Sequence, residues 1–459
     1  RIPQPVMSKK GSGVTPAPGA DAAEICDAFN KVNDEMAKMA LDDLPQDNVF
    51  TEAFDEEDEE DGESGGVKDK KGRSWLGKVG KGMYRRTMNL AQATGIVDSP
   101  VSKEDEDAKN KVMACRSPFA SVNGGIAIQD PAHARLCRSV LSLMVRQMGR
   151  QLLKGGNVMN TSFPIQCCQP KTILEVGATM AGFTDVYMPR AVAATDPVER
   201  MKNIVACFVG TMTLSSGNFL KPLNPILGET LQVDYSNGSK LYMEQTCHHP
   251  PVSSFYFTAP DDSYTVHGHQ TFTVGWGYNK MMITSKGLRT IVFKDGSTVS
   301  FDYPEDRWGN VFWGEMHHES LGVQTFEDEK NKIRCKIQFA PPERKGVPSD
   351  FFEGVIERYD PANKEKEGEV VSNVEGSWVG FVDFDKVRYW DVRTCVKMTM
   401  STPGSILPSD SRLRPDSIAL AKKDYNTAQA AKLAMEAQQR AERKLREVRH
   451  GCKDPPNIV

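Results

Sequence analysis

The chain lacks any apolar run long enough for a membrane-spanning helix. Such a helix needs about 18–20 consecutive apolar residues, and no segment of the 459 residues approaches that length. Any contact with a membrane is therefore expected to be peripheral. The net charge is also small, with a value of −4 at pH 7. So small a charge gives no reason to expect a nucleic-acid partner.

Motifs for disulfide pairing, metal binding and covalent catalysis are missing as well. Ten cysteines lie at irregular positions without a CxxC pair or an evident secretory leader, which is typical of reduced thiols in a cytosolic protein. The HExxH spacing is absent, and no GxSxG elbow lies between a strand and a helix. We therefore expect a cytoplasmic protein that is not an enzyme and needs no metal and no cofactor.

Residues 1–135 are predicted to form a mostly disordered tail with short linear motifs. They contain the acidic run Asp55 to Asp61 and the segment GGVKDKKGR, whose composition buries too little apolar surface to offset the entropy of ordering. The stretch VFTEAFD is either a solvated acidic segment with stray aromatics or a binding peptide. The stretch SWLGKVGKGMYRRTMNL mixes apolar and basic residues and is suited to lie on an anionic bilayer.

Residues 136–459 are predicted to form a folded domain. Its first element is an amphipathic helix at about 136–155, because apolar residues recur at fourfold spacing before Gly155 and Gly156. A second helix begins after Asp196, which is predicted to be its N-cap, with Pro197 at the first helical position and Glu199 completing a capping box. A long helix at about 416–448 is predicted to close the domain.

Strands fill the middle of this domain. Asn237-Gly238 and Asp295-Gly296 each separate two β-branched, aromatic runs, and these dipeptides are the strongest short-range signals for a hairpin. Strand-like segments recur to about Val396 without a strong helix. The pattern predicts an α+β fold with one large antiparallel sheet, closed or partly closed into a barrel.

The stretch MEQTCHHPPV, from Met243 to Val252, places two histidines at the end of a strand. In a regular strand the side chains of His248 and His249 point to opposite faces, but Pro250 and Pro251 end the strand and allow both rings to turn to one side. A metal site, an acid/base pair, an anion site and a structural turn are the alternatives. An anion site fits better, because imidazole donates to phosphate and no further metal ligands accompany this pair or His317-His318.

An anion site would need cations. Lys432, Glu436 and Arg440 recur at fourfold spacing on the last helix, so they share one stripe. Such a stripe is also common as a solvated ladder of surface ion pairs. The segment LKPLNPILGE, nearer the histidines, adds Lys221 and Asn224 on an extended, proline-rich stretch.

Three motifs together resemble one family. MEQTCHHPPVS resembles the EQVSHHPP fingerprint of the oxysterol-binding protein family, with Thr246 and Cys247 at its Val and Ser positions. KPLNPILGET precedes it and a KxxxExxxR stripe follows it, in the order and at about the spacing of that family. The resemblance covers roughly Cys137 to His450.

The resemblance implies a lipid-transfer domain of the OSBP-related type. It implies an incomplete antiparallel β-barrel around an apolar lipid tunnel, an N-terminal lid at about 136–155, and flanking helices. It implies that the protein extracts phosphatidylinositol 4-phosphate and exchanges it between membranes for a sterol or phosphatidylserine. A lipid-dependent sensor or tether at membrane contact sites is the alternative, and a metal-dependent hydrolase that uses the histidines is a third hypothesis.

The resemblance also implies a role for each matching residue. His248, His249 and Arg440 would hold the 4-phosphate, Lys432 would bridge to the lipid phosphates, and Glu436 would orient Lys432 and the inositol hydroxyls. The other side of the headgroup would contact Lys221, Leu223 and Asn224.

VFTEAFD gains a second interpretation from the resemblance. It is similar to an FFAT motif, the acidic peptide that docks on VAP-family receptors of the endoplasmic reticulum. Phe50, Glu52, Ala53 and Asp55 fit this FFAT-like motif, whereas Val49 and Thr51 depart from it. The resemblance therefore implies a cytoplasmic protein, peripherally associated with membranes, at contact sites of the endoplasmic reticulum.

Overall fold

Alternating apolar and polar residues build one long antiparallel sheet. A computed structural model describes residues 101–139, 165–216, 220–248, 250–277 and 279–450, and these described residues form one compact unit. Sixteen strands join in this sheet, and helices pack against it. The predicted α+β class is confirmed.

The strands follow one another along the sheet in nearly sequential order. From one edge the order is β17-β16-β15-β14-β13-β12-β10-β9-β7-β6-β5-β4-β18, while β1, β8 and β11 attach beside this path. The sheet curls into a barrel. This barrel is incomplete, because in the described residues no ladder joins β17 to β18 at its two edges. A separate parallel pair is formed by β2 and β3. The strand bounds are β1 Ile126–Ala127, β2 Cys168–Thr172, β3 Lys221–Leu223, β4 Thr230–Tyr235, β5 Lys240–Cys247, β6 Val252–Thr258, β7 Tyr264–Gly277, β8 Lys280–Lys286, β9 Arg289–Phe293, β10 Thr298–Phe301, β11 Glu305–Gly309, β12 His317–Asp328, β13 Ile333–Phe339, β14 Phe351–Arg358, β15 Glu369–Ser377, β16 Phe381–Phe384, β17 Val387–Asp391 and β18 Met400–Ser401.

Both predicted hairpins are present. β4 and β5 pair around Asn237-Gly238, and β9 and β10 pair around Asp295-Gly296. Gly238 and Gly296 both have positive φ, at 90° and 76°, the backbone region that glycine enters without steric cost. The turn chemistry therefore sets the register of these strands, as the sequence indicates.

Six helices are bounded within the described residues. They are α1 Lys103–Cys115, α2 Ile173–Gly177, α3 Thr184–Ala193, α4 Pro197–Ser215, α5 Pro415–Ala421 and α6 Tyr425–His450. Helix α4 is buried along almost its whole length and packs on the concave side of the sheet against β13, β16 and β17. Gly210 allows this approach, because a Cβ there would lie 2.8 Å from the ring of Trp390.

The start of α4 confirms part of its prediction. The Asp196 carboxylate accepts a hydrogen bond from the Val198 amide at 3.1 Å, and Pro197 occupies the first turn. The predicted capping box is wrong, because the Glu199 carboxylate accepts instead from Asn203 at 3.0 Å and from the Tyr389 hydroxyl at 2.8 Å. Glu199 thus ties α4 to β17 rather than closing its own helix end.

The folded unit begins earlier than the predicted boundary at residue 136. Helix α1 docks through Val112, which packs with Phe351 and Phe381, and through an ion pair of Lys111 with Asp383 at 2.8 Å. Strand β1 extends the sheet by pairing with β12. Residues 103–127 therefore belong to the domain, and assigning them to a disordered tail is wrong.

The predicted C-terminal helix is two helices. Helix α5 ends at Ala421, Lys423 adopts a positive φ of 61°, and the Asp424 carboxylate accepts from the Thr427 amide at 3.1 Å to begin α6. A lysine in the left-handed region and a new N-cap interrupt the series of helical backbone hydrogen bonds. One continuous helix over 416–448 is therefore wrong.

The predicted lid is only partly described. Residues 131–139 are helical, with the Asp130 carboxylate capping the Ala132 amide at 2.8 Å. The remainder of the predicted lid, residues 140–155, lies outside the described residues, as do the FFAT-like residues Phe50, Glu52, Ala53 and Asp55.

Candidate functional site

The inner face of the sheet and the helices packed on it line a cavity of about 460 Å³. Most of its wall is apolar. The wall includes side chains from α2, α4, β5, β6, β7 and β8, among them Val176, Phe208, Met243, Phe257, Val274 and Ile283. Cavities of this size and character are typical of sites for small apolar ligands.

His248 lies on the wall of this cavity beside Pro251. Leu241, Met243 and Gln245 line the same cavity, and strict alternation would place residue 248 on the opposite face. The β5–β6 register shifts between Gln245 and Cys247, and a bulge of this kind exchanges the faces that follow it. His248 thus joins the inner face, whereas His249 lies outside the described residues.

Lys221 and Asn224 lie on the same cavity wall. The Lys221 ammonium donates to the Asn224 side-chain carbonyl at 3.0 Å, so the two side chains are oriented together. Strand β3 places them, because Lys221 pairs with Cys168 of β2 and the side-chain amide of Gln169 on β2 donates to the Leu220 carbonyl at 3.0 Å. The cavity wall thus combines a cation, an amide and an imidazole with an apolar interior.

Leu223 supports this wall from behind. Its side chain is 2% exposed and packs in a cluster with Ile165, Cys168, Ala419, Leu420 and Ala428. The cluster joins β2 and β3 to α5 and α6. Leu223 therefore fixes the position of Lys221 and Asn224 through apolar packing, rather than presenting its side chain to a headgroup.

The stripe on α6 continues from this cluster. Ala428 is fully buried, and Lys432, Glu436 and Arg440 follow it at fourfold spacing on the same face. The Lys432 ammonium lies 2.9 Å from the Glu436 carboxylate, and the Arg440 guanidinium lies 3.9 Å from it. Side-chain exposure rises along the stripe, from 12% at Lys432 to 61% at Arg440.

The Cys168 thiol lies close to charged groups of both the α6 stripe and the cavity wall. Burial raises the pKa of the Cys168 thiol, and the charges of Lys221 and Lys432 oppose that rise. Both ammonium groups therefore act on one buried thiol, although they lie more than two hundred residues apart in the sequence. The fold brings the KPLNP segment and the KxxxExxxR stripe to the same region.

A buried ion network holds the loop that carries Asn224. The Arg414 guanidinium donates to the Asn224 main-chain carbonyl at 2.6 Å, to Glu229 at 2.8 Å and to Asp416 at 2.7 Å. The Glu229 carboxylate also accepts from the Ile226 amide at 3.0 Å. Burial raises the pKa of Glu229, and Arg414 opposes that rise.

The structure thus brings together most of the described residues that sequence analysis assigned to the headgroup. Lys221, Asn224 and His248 line the cavity, and Lys432 with Glu436 lies on the adjoining stripe. Arg440, whose side chain is 61% exposed, is linked to this group through Glu436.

A second polar group, which was not predicted from the sequence, lies on the same cavity wall. It consists of Gln245, Gln270, Arg289, Tyr303, Asp306 and His318. The signal was present in RTIVF, where Arg289 alternates with Ile291 and Phe293 and so must share their buried face. His318 was noted only as an unaccompanied histidine, yet its Nε2 lies 3.0 Å from the Asp306 carboxylate.

Within the described ranges, no group of three or more His, Cys, Asp or Glu side chains has an arrangement that could hold a metal ion. No helix in that part of the chain is long and apolar enough to cross a membrane.

Comparison with known proteins relates the chain to oxysterol-binding proteins. A family model described as oxysterol-binding protein matches residues 148–455. Oxysterol-binding protein 9 of Dictyostelium discoideum is 31% identical over 340 residues, which cover 70% of this chain and 79% of that protein. Oxysterol-binding protein-related protein 1C of Arabidopsis thaliana is 23% identical over 386 residues, which cover 75% of this chain but 45% of the relative.

Solved structures show the same fold. The crystal structure of the Osh3 ORD from Saccharomyces cerevisiae in complex with PI(4)P aligns with a TM-score of 0.56 at 18% identity, covering 71% of this chain and 88% of that one. The Osh1 ORD domain in complex with ergosterol aligns with a TM-score of 0.55 at 17% identity, covering 76% and 89%. The family model spans more than half of the sequence, and the chain belongs to the oxysterol-binding protein family.

Proposed function

We propose that this protein extracts phosphatidylinositol 4-phosphate from a membrane and exchanges it between membranes for a sterol or another lipid, such as phosphatidylserine. The observation that carries the proposal is the joint position of His248, Lys221 and Asn224 on the wall of an apolar cavity. A lipid with a charged headgroup needs polar groups around the headgroup and an apolar cavity around its chains at the same time. Solved relatives in complex with PI(4)P and with ergosterol support the choice of ligands.

The cavity offsets the main cost of moving a lipid through water. At about 0.8 kcal/mol per CH₂, exposing two acyl chains costs on the order of 20 kcal/mol. Desorption without a carrier is therefore slow, whereas the apolar wall built by α4 and the inner strands replaces the bilayer interior. One cavity of about 460 Å³ supports binding of the two lipids in alternation.

The polar wall suits a phosphorylated headgroup. The Lys221 ammonium is already oriented by Asn224 at 3.0 Å, and the Lys432 ammonium is oriented by Glu436 at 2.9 Å. Preoriented cations lose less side-chain entropy when a phosphate binds. A phosphate dianion also favours the protonated form of an imidazole, so His248, together with His249, can donate to it. Binding makes and breaks no covalent bond.

The proposal also includes a role for the N-terminal tail in membrane targeting. A tail whose FFAT-like residues Phe50, Glu52, Ala53 and Asp55 bind a VAP-family receptor would hold the protein at the endoplasmic reticulum. The alternative, a lipid-dependent sensor or tether, uses the same cavity but requires no net transport.

Transfer between two liposome populations distinguishes a carrier from a sensor. Donor liposomes contain phosphatidylinositol 4-phosphate, acceptors contain cholesterol, and a headgroup probe reports the arrival of phosphoinositide. We expect each protein to move many lipids, with no comparable transfer of phosphatidylinositol, which lacks the 4-phosphate. Tight binding with transfer no faster than the protein-free rate would favour the sensor and overturn the carrier.

A further inference from the structure

Helix α6 carries a second, apolar stripe at the protein surface. Leu445 is 71% exposed and Val448 is 85% exposed, and Ala434, Ala437 and Ala441 are exposed as well. At about 100° per residue, these five side chains fall within an arc of about 80° around the helix axis. They therefore form one continuous stripe, which we call the outer stripe.

The outer stripe is separate from the α6 stripe of Lys432, Glu436 and Arg440. Lys432 lies about 160° around the helix axis from Ala434. Ala428, on the side of Lys432, is fully buried. The helix therefore packs on the domain with one face, while the opposite face lies at the surface.

Cations dominate the end of α6. Residues 440–449 hold five cations and two anions, so that five minus two leaves an excess of three positive charges. Both anions already have partners within the helix. Glu442 accepts from the Gln438 side-chain amide at 2.9 Å, and Glu447 pairs with Arg443 at 3.5 Å. The end of the helix is therefore a positively charged surface.

Lys444 and Arg449 border the outer stripe on its two sides. Relative to Leu445, Lys444 lies about 100° around the axis in one direction and Arg449 about 40° in the other. Both side chains are exposed. An apolar stripe between cations is typical of a helix that lies in the plane of a bilayer surface. The apolar side chains enter the boundary between headgroups and acyl chains, and the cations meet anionic lipids.

The charge distinguishes this partner from a second copy of the chain. Two copies packed through the outer stripe would bring together two helix ends that each carry an excess of cations, and like charges repel. An anionic bilayer attracts the same cations. The positive excess therefore favours a membrane surface over self-association.

We propose that the outer stripe of α6 is a docking surface for anionic membranes. Leu445 and Val448 enter the bilayer interface, and Lys444 and Arg449 contact the lipid phosphates. This surface is distinct from the cavity, so the proposal goes beyond lipid exchange and does not depend on which lipid the cavity binds.

Flotation of the full chain with liposomes tests this surface. One set of liposomes contains phosphatidylcholine and phosphatidylglycerol, the other contains phosphatidylcholine alone, and neither contains phosphoinositide or sterol. We expect partition into the anionic set to be at least about tenfold stronger, because each cation near an anionic surface strengthens binding several-fold. Added salt should reduce this difference, since it screens exposed charges.

Two double substitutions separate the apolar contribution from the charged one. Leu445→Gln with Val448→Gln removes the apolar side chains and should weaken partition by about tenfold or more, because both side chains lose their burial in the interface. Lys444→Gln with Arg449→Gln removes two cations and should weaken partition into the anionic set by about thirtyfold. It should also reduce the dependence on salt.

Val122→Gln with Val396→Gln is the matched control for the apolar substitution. These valines are 74% and 79% exposed and lie outside α6. Exposed substitutions of this kind have small effects on stability. We expect partition within about twofold of the unmodified chain, and an unchanged thermal transition in all three variants.

Three results would overturn the docking surface. The first is equal partition into both sets of liposomes, and the second is partition of the Leu445 and Val448 variant equal to that of the control. The third is a dimer that this variant dissociates while its partition stays unchanged, because the outer stripe would then bind a second copy. If the protein docks but extracts no phosphatidylinositol 4-phosphate, the proposed exchange fails and the docking surface stands.

Discussion

Replacing His248 and His249 together with alanine is expected to lower the extraction of phosphatidylinositol 4-phosphate from liposomes by at least about 100-fold. A hydrogen bond to a charged group contributes about 1.5–3 kcal/mol, and each 1.4 kcal/mol corresponds to about tenfold in affinity. Losing two such donors to one phosphate therefore costs at least two orders of magnitude. Co-sedimentation of the protein with liposomes, followed by quantification of the extracted lipid, measures the effect.

The chain provides a matched control for this double substitution. His267 and His269 are exposed on the opposite face of β7, two residues apart. Replacing both with alanine removes the same chemical groups away from the cavity, and extraction should stay within twofold of the unmodified protein. Equal extraction by the His248 and His249 variant, with an unchanged thermal transition, would contradict the headgroup assignment.

Arg414→Ala is expected to lower the free energy of unfolding by about 3–5 kcal/mol. Removing one partner of a buried ion network leaves the other charges without compensation. Here the carboxylates of Glu229 and Asp416 are 2% and 0% exposed and would lose their shared guanidinium. The main-chain carbonyl of Asn224 would lose a donor as well. Urea denaturation at pH 7.5 measures the change.

The same variant should show a distinct pH dependence. Burial raises the pKa of Glu229 in the folded protein, and without Arg414 that rise should be larger. An acid whose pKa is higher in the folded state takes up a proton on folding, so lowering the pH favours the folded state. The loss of stability should therefore be smaller at pH 5 than at pH 7.5.

Arg393→Ala serves as the control for Arg414→Ala. Its guanidinium pairs with Asp391 at 2.6 Å, but its side chain is 54% exposed. Exposed ion pairs contribute about 0–1 kcal/mol, so the stability of this variant should change little. Similar losses in both variants would contradict the claim that burial gives the Arg414 network its importance.

Local sequence signals predicted the features that depend on nearby residues. Asn237-Gly238 set a hairpin because its turn geometry is local, and Asp196-Pro197 began α4 for the same reason. The family fingerprint around His248 also pointed to the cavity wall that the structure shows. These signals depend on a few consecutive positions, so they survive without knowledge of the whole fold.

Features that depend on distant residues were not readable in this way. The bulge between Gln245 and Cys247 depends on the pairing of β5 with β6. The residues of MEQTC contain no local signal that predicts a bulge. The acidic sequence of α1 resembles a tail, because its docking relies on a single buried Val112 and on ion pairs with residues more than two hundred positions away. The alternation of Arg289 with Ile291 and Phe293 indicates a buried face, but only the sheet topology shows that this face lines the cavity.

Native mass spectrometry after incubation with liposomes tests the central claim most directly. The chain is exposed to liposomes that contain phosphatidylinositol 4-phosphate, separated from them, and then mixed with cholesterol liposomes. The account predicts one phosphoinositide per protein, replaced by cholesterol in the second step, with no species that carries both lipids. A chain that extracts no phosphoinositide, or that carries both lipids together, would contradict the account.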